Sequence, residues 1–219
     1  MSIESLVGQI TRGSVAGDFI YKLARDHDNK VFVDIGFWNG KGSTQCIMDA
    51  LIERLDECVV YALETDKEFY DGAVKYWDDR LCMYNSIVKS KLKLIHGRVI
   101  EPEAAPTLEE VMKSRHSHDR WPQFYREFFD AVEAGCPNVL ADIPAQIDVL
   151  ILDGGEFTTH AEYELFKERS RILVCDDSSK YKCEKIRLQL LDDKDYKVLI
   201  DAPDQRNGFC AFEYIGERA

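Results

Sequence analysis

Short aliphatic runs recur along the chain, each bounded by glycine or polar residues and separated by stretches whose apolar positions fall every third or fourth residue. Val31–Gly36 (VFVDIG), Val59–Glu64 (VVYALE), Leu92–His96, Ile147–Asp153 (IDVLILD), Arg171–Asp176 (RILVCD) and Lys197–Asp201 are expected strands. A seventh, Gly208–Ile215 (GFCAFEYI), alternates and follows the sixth after a short loop, as in a hairpin. Between them, Ser43–Glu57 places Cys46, Ile47, Ala50, Leu51 and Leu55 at helical spacing, and Lys67–Asp78 does the same with Phe69, Ala73 and Tyr76. Thr159–Arg169 and Lys182–Leu191 are the later helices.

This βα alternation predicts an α/β fold over residues 1–219 as one domain: a seven-stranded, mostly parallel sheet with one antiparallel strand and helices on both faces. Two segments lie outside the alternation. Residues 1–29 are expected as an N-terminal helical extension with capping-type residues Asp18 and Asp28. Glu101–Gln146 is longer than a crossover requires, so about 102–146 is expected as a helical insert. Within it Thr107–Lys113 and Gln123–Ala134 look helical, the second with Phe124, Phe128, Phe129 and Val132 on one face, and the polar run 113–121 (KSRHSHDRW) joins them. The insert is read as a cap over one end of the sheet.

The 219 residues carry 28 Lys and Arg against 40 Asp and Glu, a net charge of −12, which disfavours a nucleic-acid or anionic-membrane surface. With 45% hydrophobic and 31% charged residues the chain has a globular composition. No stretch is apolar enough to cross a bilayer, and the start (MSIESLVGQITRGS) lacks a signal-peptide layout, so a cytoplasmic location is expected. The seven cysteines, odd in number and without a Cys-x-x-Cys pair, read as reduced thiols packed as small hydrophobes.

In a parallel sheet, ligands sit at the carboxyl ends of the strands, where strand order reverses. After the first strand comes Asp34-Ile35-Gly36-Phe37-Trp38-Asn39-Gly40-Lys41-Gly42-Ser43-Thr44. Its glycines let backbone approach a ligand closely. A carboxylate before the first glycine suits an ammonium rather than a phosphate, and both the G-x-G-x-x-G fingerprint and the P-loop pattern are absent. Glu64, ending the second strand, reads either as an acceptor for two ribose hydroxyls or as an acid favourable to the following helix dipole; beside the glycine turn, the ligand reading prevails.

The runs VFVDIGFWNGKGST, YALETD, VLILDGG and RILVCDDSS together resemble the class I S-adenosylmethionine-dependent methyltransferases, over Val31–Ile215 apart from the insert. The resemblance implies a Rossmann-like methyltransferase fold with S-adenosyl-L-methionine as cofactor. It implies that the turn carrying Asp34, Gly36, Trp38, Asn39, Gly40 and Gly42 cradles the methionine moiety, that Glu64 holds the ribose, that Gly97 and Arg98 flank the adenine, and that Asp153 borders the cofactor.

If the fourth and fifth strands are neighbours, their ends lie about 5 Å apart, so Asp153, Asp176 and Asp177 can converge and invite a hard cation such as Mg2+. The spacing is similar to that of metal-dependent O-methyltransferases of catechols and sugars. It departs from the catechol enzymes in having Gly154-Gly155-Glu156 where they carry a lysine. The same residues read otherwise too: Asp177 and Ser178 as helix caps, Asp153 as a residue orienting the cofactor. Asp153, Glu156 and His160 are the candidates for deprotonating an acceptor, whereas His116 and His118, in a charged loop, read as solvated.

The expected function is therefore methyl transfer to an oxygen of a sugar or other small polar hydroxyl compound, with or without magnesium, and with neither nucleic acid nor membrane as partner. Two alternatives stay open: a cofactor-binding protein of this fold without methyl transfer, and a nucleotide- or NAD-dependent enzyme. No feature of the sequence specifies an oligomeric state.

Overall fold

Seven strands, β1 (Val31–Ile35), β2 (Val59–Glu64), β3 (Leu92–His96), β4 (Ile147–Leu152), β5 (Ser170–Asp176), β6 (Tyr196–Ala202) and β7 (Phe209–Tyr214), form one sheet in the order β3-β2-β1-β4-β5-β7-β6. The structure, a computed structural model, describes residues 10–217. Neighbours from β3 to β5 pair in parallel, and β7 runs antiparallel to both β5 and β6. The central strands read as near-continuous apolar runs because both their faces are covered. Phe32, Val149 and Ile151 face one core, with Ile47, Met48 and Trp77; Val33, Leu150 and Leu152 face the other, with Phe166, Ile186 and Phe212.

Helices α1 (Val15–Arg25), α2 (Ser43–Leu51) and α3 (Lys67–Leu81) supply residues to the first core, and α7 (Thr159–Phe166) and α8 (Glu184–Asp192) to the second. The chain order reverses between β1 and β4, which puts the switch point in the middle of the sheet. Among the described residues no helix is long and apolar enough to cross a membrane, and all seven cysteines are free thiols, only Cys82 exposed.

Local departures from the sequence pattern have identifiable causes. The helix expected over Ser43–Glu57 stops at Leu51, and Leu55 is 97% exposed. Arg54 accounts for this: its buried guanidinium donates to the carbonyls of Ala24, Asp26 and Asn29 and pairs with Asp56, pulling the chain out of helical register. In the N-terminal extension, residues 1–9 lie outside the described residues; beyond them Ser14, not Asp18, caps α1 by accepting from the Gly17 amide. Asp18 sits in the first turn, where it accepts from Gly13 and pairs with Arg12.

The insert contains α5 (Leu108–Met112), opened by a Thr107–Glu110 capping box, and α6 (Trp121–Glu133). A parallel bridge between Arg98 and Asn138 ties its two ends together beside β3. Its aromatic face, Trp121 with Phe124 and Tyr125, packs on Phe157 and Tyr181 from the loops after β4 and β5. A short helix, α4 (Ser86–Lys89), which the pattern did not signal, leads into β3 and is capped by Asn85.

Candidate functional site

The turn after β1 needs its glycines. Gly36 has φ of 84°, and a Cβ there would lie 2.3 Å from the Asp153 carbonyl oxygen and 2.6 Å from the Gly154 Cα. The β1 turn and the end of β4 are therefore in backbone contact at the switch point. Gly40, with φ of 72°, backs onto Trp77, where a Cβ would come within 2.7 Å of the indole nitrogen. Asp34, fully buried, accepts from the Ser43 hydroxyl at 2.9 and 2.8 Å and from Thr44 Oγ1 at 2.5 Å, and so fastens the turn to the start of α2. Burial raises this carboxyl to about 6 against those two hydroxyl donors.

Glu64 secures the turn from the other side: one oxygen accepts the Trp38 amide at 2.7 Å and the other the Asp66 amide at 3.0 Å. Burial pushes its carboxyl to about 7 despite those amides. Between β1, β2 and β4 opens a cavity of about 370 Å³, bordered by Gly36, Trp38, Glu64, Gly97, Arg98, Asp153 and Glu156. The Trp38 and Phe69 rings, 5.5 Å apart, stand on its rim. Its ionisable lining is acidic: Glu64, Asp66, Glu127, Asp153, Glu156 and Glu162 against Arg98, which is itself turned to Glu101 and the Ile100 carbonyl. Such a cavity favours a cation.

Glu162 escaped the sequence reading. It is 6% exposed on the buried face of α7, its Oε2 lies without a hydrogen-bond partner against Gly154, and burial raises its carboxyl to about 7. The signal was present in the spacing, since Thr159, Glu162, Tyr163 and Phe166 share one buried helical face and only Glu162 carries a charge.

A second cavity, about 960 Å³, lies beneath the insert and meets the first at Val99, Glu156 and Phe157. His160 opens into this second cavity, where burial lowers its pKa and leaves Nε2 without a partner. His116 also borders it, but its Nε2 is 2.9 Å from a Glu184 carboxylate. His118 accepts from the Arg120 amide and packs beside Trp121. Glu156, at the junction of both cavities, has its carboxyl raised by burial.

A third cavity, about 310 Å³, shares Gly36, Trp38 and Asp153 with the first and adds Gly42, Asp176, Asp177 and Arg206. The non-glycine residues with positive φ among those described are Trp38 (54°), Asp177 (53°) and Arg206 (55°), and all three border it. Backbone strain gathered at one place marks a site whose geometry is held by its surroundings.

Asp153, Asp176 and Asp177 converge as the spacing suggested, with one oxygen from each inside a 4.8 Å group. The arrangement nevertheless does not fit the expected magnesium ion. Lys182, on the loop between β5 and α8, places Nζ 2.6 Å from Asp153 and 3.0 Å from Asp177, and Arg206 pairs with Asp176 and lies 3.3 Å from Asp177. Of the six carboxylate oxygens all but Asp153 Oδ2 are engaged by these two cations, which leaves too few for an ion that needs several oxygen ligands. Burial opposes ionisation of Asp177, yet Lys182, Asn207 and Arg206 outweigh it and hold the carboxyl below its ordinary value. Burial likewise disfavours the Lys182 ammonium, and the three aspartates overcome that and raise its pKa.

Of the sequence-derived residues, Gly36, Trp38, Glu64, Gly97, Arg98, Asp153 and Glu156 meet around the first cavity. Gly42, Asp176 and Asp177 border the third, and His160 the second. Asp34, Asn39 and Gly40 are outside all three linings: Asp34 turns inward to α2, Asn39 is buried and accepts from the Lys41 amide, and Gly40 is packed on Trp77.

No family model matches the chain, and no curated protein matches it. Solved structures do. An O-methyltransferase from Bacillus cereus in complex with S-adenosylhomocysteine aligns with a TM-score of 0.55 at 12% identity over 90% of this chain and 80% of the other. TomG, an O-methyltransferase from Streptomyces achromogenes in complex with S-adenosylmethionine, gives 0.54 at 15% identity over 91% and 79%. An rRNA methylase from Streptococcus thermophilus gives 0.52 at 13% identity over 92% and 95%. The seven-stranded sheet, with its antiparallel β7 set between β5 and β6, thus has the Rossmann-like fold of the class I S-adenosylmethionine-dependent methyltransferases.

Proposed function

We propose that this protein transfers the methyl group of S-adenosylmethionine to a hydroxyl oxygen of a small polar acceptor, a sugar being the favoured class. The observation that carries the reading is the acidic cavity at the switch point, walled by a glycine turn and by the buried acids Glu64 and Glu162. S-adenosylmethionine brings a sulfonium, an ammonium and a vicinal diol, and each matches something there. The turn at Gly36–Gly42 lets backbone meet the methionine moiety, with Asp34, Asn39 and Gly40 holding the turn from behind. Glu64 keeps lone pairs for the ribose hydroxyls beyond the two amides it already accepts. Gly97 and Arg98 close the adenine end, where a side chain at Gly97 would strike Val139. Glu162, a buried acid on the cavity wall, fits a cationic occupant.

When bound, the cofactor supplies an electrophilic methyl group on sulfur. The chain's own contribution is alignment and proton removal. The 960 Å³ cavity beneath the insert suits the acceptor, and Glu156, at its junction with the cofactor cavity and with a raised pKa, takes the hydroxyl proton. Asp153 acts through its pairing with Lys182, and His160 shapes the acceptor side. One protein of similar fold is an rRNA methylase, but a net charge of −12 opposes a polyanionic acceptor here. The test is release of S-adenosylhomocysteine with a panel of sugars, phenols and nucleosides. Turnover on a hydroxyl compound that Glu156→Gln lowers at least about tenfold supports the reading. Cofactor binding without turnover on any acceptor favours a binding protein of this fold instead.

A further inference from the structure

The aspartates at the ends of β4 and β5 are already neutralised from within the chain. Lys182 Nζ bridges Asp153 and Asp177 at 2.6 and 3.0 Å, its side chain 7% exposed. The Arg206 guanidinium, one third exposed on the loop between β6 and β7, takes both oxygens of Asp176 and reaches Asp177. The two cations take up all of the carboxylate oxygens of the cluster except Asp153 Oδ2, arriving from the β5–α8 loop and the β6–β7 loop. Asp177 and Arg206 both adopt left-handed backbone to meet. A hexacoordinate ion demands oxygens at about 2.1 Å and keeps water among its ligands, whereas a buried ammonium on the same carboxylates repels it and excludes that water.

We propose that Lys182 and Arg206 stand in for a divalent cation at this cluster, which is therefore a metal-independent ion-pair network with Lys182 as the positioning residue that fixes Asp153 at the edge of the cofactor cavity. Positive charge beside the reacting groups is then supplied by the chain and needs no loading. That charge enters from the β5 side, through Lys182. The inference deepens the proposed function, and its test reads ion uptake apart from cofactor binding so that either can fail alone.

The experiment is titration of the full-length chain with Mn2+, free ion being followed by its electron paramagnetic resonance signal, with melting in excess Mg2+ or EDTA in parallel. The wild type should leave the Mn2+ signal undiminished at high micromolar protein, with the same melting temperature in Mg2+ and EDTA. Lys182→Met, leaving three carboxylates to one cation, should bind Mn2+ at least about tenfold more tightly than wild type, whereas Lys182→Arg should not. Arg206→Met, a more exposed change, gives the same reading if Lys182→Met does not fold. S-adenosylhomocysteine affinity on the same samples should fall about tenfold in Lys182→Met and be retained in Lys182→Arg, an effect of position rather than of folding alone. Uptake of one Mn2+ per wild-type chain, abolished by Asp177→Asn, would overturn the proposal. So would failure of both methionine variants to bind the ion better than wild type.

Discussion

Glu162→Gln should stabilise the ligand-free protein in mild alkali and leave it unchanged in acid. Burial lifts the Glu162 carboxyl from 4.5 to about 7, against the opposing pull of the nearby Thr158 and Thr159 hydroxyls and of Lys182. At about 1.4 kcal/mol per pH unit, that rise costs the ionised folded state about 3 kcal/mol. The sign follows from which state holds the proton more tightly. The folded protein does, so stability fully present below 4.5 is lost as pH climbs through about 7. Glutamine keeps the shape without the charge and should recover about 2–3 kcal/mol at a pH of about 8, and close to nothing at a pH of about 4.5. Urea denaturation at the two pH values measures this: with a slope of about 1–3 kcal/mol per molar, the midpoint should rise by about 1 M at the higher pH, with the slope unchanged. The same change should weaken binding of a cationic ligand, since Glu162 borders the cavity. An equal gain at both pH values, or none at the higher, would refute the account of Glu162 as a buried, charge-penalised acid.

Glu64→Ala should weaken S-adenosylhomocysteine binding by about 1.5–3 kcal/mol, measured by calorimetry, because hydrogen bonds to a charged acceptor are lost. Gly36→Ala should abolish cofactor binding and lower the melting temperature, since its Cβ would meet main chain of β4 at 2.3 Å, which no side-chain rotation relieves. Asp34→Ala should cost about 1–3 kcal/mol in denaturant unfolding by leaving the Ser43 and Thr44 hydroxyls buried without their acceptor, and Asp34→Asn should cost less.

The sheet was legible because its central strands are apolar runs covered on both faces, and a run such as Ile147–Asp153 has no other stable use in a chain of this composition. The glycine turn and Glu64 were legible because close backbone approach leaves glycine in the sequence and a strand-end acid is conspicuous. What pattern could not show is which way a side chain turns. Asp34 precedes the first glycine, as a ligand residue would, yet its carboxylate points under α2 to Ser43 and Thr44. Lys182 looked like the first residue of a helix; it lies instead on the loop from β5, ahead of buried Cys183, and that path brings its ammonium to Asp153. The three aspartates converged as spacing implied, but spacing along one chain does not reveal the cations that arrive from Lys182 and Arg206. Helix ends were missed where a distant partner intervened, as with Arg54 and the carbonyls of α1 and its following loop.

The most direct test is calorimetric titration of the wild-type protein with S-adenosylhomocysteine at neutral pH, with NAD in a parallel cell. The account predicts one site per chain with a dissociation constant of about 1–100 μM, or about −8 to −5 kcal/mol, and no heat from NAD. No binding of S-adenosylhomocysteine or S-adenosylmethionine, together with saturable binding of NAD, would contradict it.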